Sequence, residues 1–153
     1  MNRIGIVAAM IAAGGLVCAM PARAAGGQDA EKLRRLDIML MVTSLRCRTT
    51  PDNFQADFQR FEAAHLDELN EAARTIRGGL VATHGAAGAT RALDRLSTTM
   101  ANQYGQGHPW LGCGELKMAA RLLGNLKGRD ALVEAADQLL APVDRTPTNL
   151  AAR

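Results

Sequence analysis

Lysine is scarce in this chain: Lys32, Lys117 and Lys127 are the only three in 153 residues. Lys and Arg form no clustered stripe, so the electrostatic footprint of phosphate-backbone binding is missing and nucleic acid is excluded as a partner. No H-E-x-x-H and no paired C-x-x-C spacing occurs, which leaves a metal ion without a ligand set. Ser44 and Ser97 both lie outside any G-x-S-x-G turn, so a hydrolase triad would rest on composition alone. There is no internal repeat and no alternating strand pattern as long as the helical ones. Aromatic residues make up only 3% of the chain. What is present is an apolar fraction of 48% with 22% charged residues. That balance excludes a wholly disordered chain and, at this length, supports one core.

The N-terminus reads as an export signal over residues 1–24. Arg3 supplies a positive start, Ile4 to Met20 run without a charge, and Ala22-Arg23-Ala24 matches the small-x-small site of signal peptidase. Cleavage is expected after Ala24. The run from 4 to 20 is at the short limit for a membrane span and is diluted by Gly5, Gly14 and Gly15, so no stable span is expected after cleavage. Cys18 lacks the flanking residues of a lipobox. Loss of Arg3 and Arg23 from the 18 basic residues leaves 16 against 15 acidic ones, so most of the formal charge of +3 belongs to the leader. The mature chain keeps Cys47 and Cys113, and in the periplasm or outside the cell these are expected to pair.

Helical spacing dominates the rest. Asp29 to Cys47 is apolar nearly all round in its middle, as a central bundle helix would be. Thr50 as cap, Pro51 at the first position and Asp52 in the first turn predict a long second helix, with a stripe through Phe54, Phe58, Phe61, His65, Leu69, Ala72, Ile76 and Leu80. Asp57, Glu62, Asp67, Glu68 and Glu71 fall mostly on its outer positions. Gly78, Gly79, Gly85 and Gly88 predict a loop or a frayed end. Thr90 to Tyr104, Leu116 to Leu126 and Asp130 to Leu140 supply three more helices. The expected fold is all-α, a four- to five-helix bundle with one disulfide, comprising a helical domain over 25–145 and a flexible tail over 146–153.

The most unusual local composition is Asn102 to Cys113, which holds the only Tyr and the only Trp. Gln103, Tyr104, Gln106, His108 and Trp110 are the candidate ligand-binding residues, the rings for stacking and the amides and imidazole for orientation. The alternative for this segment is a tight connector with Trp110 as a core plug. His108 as base with Glu115 as its acid is the candidate catalytic pair; Glu115 in the first turn of a helix also suits dipole compensation. His65, on the apolar stripe, is either a satisfied buried histidine or a pH-sensitive element. His84 is expected to be exposed.

Leu36 to Thr43, Cys47-Arg48, Asn53 to Asp57, and Asn102 to Leu111 followed by Cys113 resemble a group of small exported alphaproteobacterial proteins, mostly of uncharacterised function. The likeness covers roughly residues 33–123. Some members carry the label S-adenosyl-L-homocysteine hydrolase, which implies an NAD-dependent enzyme several times this size. The nearest approach here to a dinucleotide-binding loop is Gly105-x-Gly107-x-x-Trp110, which lacks the third glycine and follows a helical pattern instead of a strand. No cofactor is expected. The leading expectation is a non-enzymatic periplasmic or envelope protein that binds a small molecule or an envelope protein. The alternatives are a small hydrolase and an acid-stress chaperone.

Overall fold

The structure, a computed structural model, describes residues 22–140. Residues 1–21 of the expected leader and the expected tail at 146–153 lie outside the described residues. Five helices and no strand are present among those described: α1 (Ala22–Cys47), α2 (Gln55–Ala64), α3 (Leu66–Gln103), α4 (Cys113–Leu123) and α5 (Arg129–Leu140). The all-α bundle with one disulfide is the observed fold. None of these helices is long and apolar enough to cross a membrane.

The central helix is α1. Its Ala30, Leu33, Leu36, Met39 and Leu40 are fully buried, and it packs chiefly against α3 and then α5. Thr43 and Ser44 are also buried, and each hydroxyl donates back along the helix, to Met39 O at 2.7 Å and Met41 O at 2.8 Å. Such internal satisfaction lets polar residues sit at the bundle axis without a tertiary partner. Arg46 in the last turn complements the negative end of the helix dipole.

The second helix departs from expectation at both ends. Thr50 does not cap it. Its amide and hydroxyl instead donate to Cys47 O, at 3.0 and 2.8 Å, and so close the C-terminus of α1. Pro51 and Asp52 lie in a turn, with Asp52 facing α4 and 4.0 Å from Lys117. Helix α2 starts only at Gln55, whose amide donates to Asn53 Oδ1 at 3.0 Å. It ends ten residues later, because His65 leaves helical geometry at φ −121, ψ 23. Asp57 is not an outer residue either: it is 4% exposed and paired with Arg60 and with Arg121, the latter at 3.1 Å, which straps α2 to α4.

The glycine-rich segment is helical on both sides of Gly85, where a loop or a frayed helix end was expected. Ala82, Ala86, Ala87 and Ala89 have the best helix propensity of any residue type and offset the cost of Gly78, Gly79 and Gly88. Only Gly85 breaks the pattern, at φ 67, ψ 168, a conformation closed to most side chains. It divides α3 into 66–84 and 86–103, each with its own buried face: Ala72 and Ile76 before it, Ala89, Ala92 and Met100 after it.

Cys47, the last residue of α1, is bonded to Cys113, the first of α4, across a separation of 66 residues. The expected pairing is therefore present, and it anchors the C-terminal end of the 104–112 loop to the end of α1.

Candidate functional site

The loop is built around His108. Tyr104 ends α3 and accepts the Gly107 amide at 2.9 Å. Gly107 itself adopts φ 107, and a side chain there would meet Arg46, so the turn requires glycine. This turn delivers His108 into the protein, where it is buried. Its Nε2 lies 3.0 Å from Leu139 O, which can only accept, so Nε2 carries the proton. Nδ1 is then an acceptor, and the amides of Leu111 and Trp110 donate to it at 3.2 and 3.5 Å. One imidazole ties the loop to the last turn of α5.

Aromatic packing reinforces the knot. Tyr104 stacks on His108 at 6.0 Å between centroids, and Trp110 meets the imidazole edge-on at 4.6 Å and 84°. Burial pushes the His108 pKa down, opposed by the Leu139 hydrogen bond and the Glu115 carboxylate. Burial pushes Tyr104 up, opposed by Arg35. Glu115 accepts the Gly112 amide at 2.8 Å and so forms half of a capping box on α4. The hydrogen bonds of His108 and Glu115 run to backbone and not to each other, and both imidazole nitrogens are engaged.

The five candidate binding residues separate into three surroundings, with His108 shared by two of them. Tyr104, His108 and Trp110 form the single stack just described. Gln103 lies apart, its Oε1 accepting from Arg35 Nη1 at 3.0 Å on the exposed side toward α1. Gln106 and His108 line a cleft of 180 Å³ beside the disulfide, together with Thr43, Arg46 and Gly107.

A larger groove, of 310 Å³, opens on the other side of Trp110. Trp110 and Leu111 form its loop wall, Ala119, Leu122 and Leu123 its α4 wall, and Ala135, Gln138 and Leu139 its α5 wall, with Leu126 from the connecting turn at its base. Gln138 and the indole N–H of Trp110 are the polar groups among these side chains. Leu122 is 70% exposed and the neighbouring Met118 59%, so the apolar surface continues onto the rim. Apart from Trp110, the residues of this groove were not among the sequence candidates. Their signal was the adjacent pairs Leu122-Leu123 and Leu139-Leu140: one leucine of a pair can enter the core while its neighbour cannot occupy the same helix face.

The other singled-out residues are structural or isolated. His65 is buried at the α2–α3 junction, with Nε2 donating to Leu123 O at 2.8 Å and the ring against Phe61 at 5.4 Å. His84 is exposed, as expected. Ser97 accepts from Arg34 at 3.3 Å. Among the described residues no three His, Cys, Asp or Glu side chains converge as a metal site.

No protein-family model, no curated protein and no solved structure matches this chain.

Proposed function

We propose that this is an exported, non-enzymatic binding protein of the periplasm or cell envelope, which takes a small apolar ligand in the groove between α4, α5 and the Trp110 loop. The groove carries this reading. Its volume lies at the lower end of the range for small-molecule sites, and such sites are mostly apolar with few polar groups. It opens between helices, where bundles place ligands. Trp110 supplies the flat contact surface; Tyr104 and His108 hold it from behind and do not face the ligand.

The tie of the loop to α5 gives the groove a preformed wall, which lowers the ordering cost of binding. Export also accounts for the disulfide, since oxidising compartments permit it and a small bundle gains from it.

Trp110 is the only Trp in the chain, so its fluorescence reports on this groove alone. Titration of 1-octanol into the protein is expected to shift Trp110 emission saturably. Leu122→Asp, at an exposed position where stability is little affected, is expected to weaken that response by about tenfold or more. A non-saturating response, identical in the variant, overturns the reading.

A further inference from the structure

The two halves of α3 run in opposite directions along α1. Glu62 lies within electrostatic reach of Asp37, and Glu71 within reach of Arg129, which is itself 3.8 Å from Asp29, so α2 and residues 66–84 travel toward the start of α1. Arg34 reaches Ser97 at 3.3 Å and Arg46 reaches Gly105 O at 3.3 Å, so residues 86–103 travel back toward its end. Gly85 therefore stands at the tip of a helical hairpin. From Glu71 to Gly85 the rise is about 20 Å, whereas only about 10 Å of α1 remains from Asp29 back to Ala22. The tip overhangs the bundle. Burial agrees, since residues 81–87 are all exposed, where a helix resting on a core would bury every third or fourth residue.

The chemistry of the tip is as uneven as its exposure. Residues 78–90 contain no Asp, Glu, Lys or Arg, and no acid occurs between Glu71 and Asp94. The nearest charges on the two arms are Arg77 and Arg91, both exposed and in no ion pair among the described residues. Along its arm each stands about 9–12 Å from Gly85. Val81 is 39% exposed and Leu80 beside it is half-buried. We propose that this hairpin tip docks on an anionic phospholipid surface, with residues 78–90 entering the headgroup layer and Arg77 and Arg91 held at the phosphates. Interfacial segments reach about 5–10 Å into that layer and keep their cations on its water side, which is where the arginine collar lies. Cations near an anionic leaflet are attracted to it by a force that salt screens. A second copy is a poorer occupant, because tip-to-tip contact sets the unpaired arginines of both copies against one another. No residue of α3 lines the groove at Trp110, so the inference stands apart from the ligand proposed there.

Cosedimentation of the full mature protein with phosphatidylcholine vesicles, with and without about 30% phosphatidylglycerol, tests the inference. Binding to the anionic vesicles and not to the neutral ones is expected, weakening about tenfold or more as NaCl rises from about 0.05 to about 0.5 M. Arg77→Gln combined with Arg91→Gln is expected to weaken it by about tenfold or more, and Val81→Asp by about threefold or more. All three positions are exposed, and circular dichroism with urea unfolding establishes that the variants fold. Leu122→Asp, which alters the groove and not the tip, is expected to bind vesicles as the wild type does. Absence of binding to the anionic vesicles, or binding that the double arginine variant leaves unchanged, overturns the inference. A concentration-dependent dimer that Val81→Asp dissociates, with no vesicle binding, overturns it in favour of a second copy.

Discussion

Two buried imidazoles hold the two helical walls of the groove, and they are satisfied differently. His65 donates to Leu123 O at the end of α4, and His108 donates to Leu139 O near the end of α5; both leucines line the groove. At His108 the second nitrogen accepts backbone amides and the ring is flanked by Tyr104 and Trp110. At His65 the second nitrogen, Nδ1, is buried with no partner. The α5 wall is thus fixed by an imidazole with both nitrogens satisfied. At the α4 wall the imidazole makes one hydrogen bond and carries an unmet acceptor inside the protein, while the disulfide at Cys113 and the Asp57–Arg121 pair hold the helix elsewhere. A buried unsatisfied polar group costs about 1–3 kcal/mol, so of the two imidazole ties the one at His65 is the weaker.

The largest expected effect breaks the comparison from the His108 side. Reduction of Cys47–Cys113, or Cys113→Ser, should cost about 4 kcal/mol in the loop-entropy account of a 66-residue separation, read by urea unfolding with and without reductant. Hydrogen exchange should then quicken in the 104–112 loop before it does in α1. Next in size, His108→Ala leaves Leu139 O and two amides unpaired and should cost about 3 kcal/mol. His65→Leu removes one hydrogen bond but also the unmet acceptor, and should cost about 1 kcal/mol. Equal losses in the two variants would show that the two knots are equivalent.

Acid should separate the two ends in opposite directions. Asp37 on α1 faces Glu62, on the helix that leads to His65; burial raises its pKa from 3.8 to about 6, against the pull of Arg34 and with the help of Glu62. A raised carboxyl pKa means that the folded protein holds this proton more tightly than the unfolded chain. Its contribution therefore falls as pH rises from about 4 to 6, and Asp37→Asn should gain about 2 kcal/mol at pH 7 and flatten that slope. His108 has the opposite sign. Its folded pKa is lowered, so the unfolded chain takes up the proton first and stability is lost as pH falls below the ordinary value of 6.5. Urea unfolding at pH 4, 5, 6 and 7 for the wild type, Asp37→Asn and His108→Gln resolves the two contributions.

The smallest effect concerns glycines in α3. Gly85→Ala should cost about 1 kcal/mol because of its positive φ, whereas Gly78→Ala, helical and with open space around it, should gain up to about 1 kcal/mol. Thermal unfolding of the two variants should shift Tm in opposite directions.

Much of this architecture was legible from residue spacing, because α1, α4 and α5 show their buried faces within single helices and the two cysteines beyond the expected leader leave one pairing. The misread places are those where a local signal had two uses. Thr50-Pro51-Asp52 has the residues of a helix start, yet tertiary geometry turns Thr50 back onto α1. The glycines of α3 suggest a loop, yet their alanine neighbours keep the helix. Asp57 lies among charged positions by spacing, and its pairing with Arg60 and with Arg121 from α4 makes its burial tolerable. In the candidate site the ring stack at Tyr104, His108 and Trp110 follows from composition, since all three lie in one short loop. The groove does not, because Leu126, Gln138 and Leu139 become neighbours of Trp110 only after α5 folds back onto the loop.

The most direct test of the account is NMR of the mature protein with 1-octanol. Intermolecular NOEs from the octyl chain to the Trp110 indole and to the Leu126 and Leu139 methyls are the predicted result. Saturating octanol that leaves these resonances unshifted would contradict it.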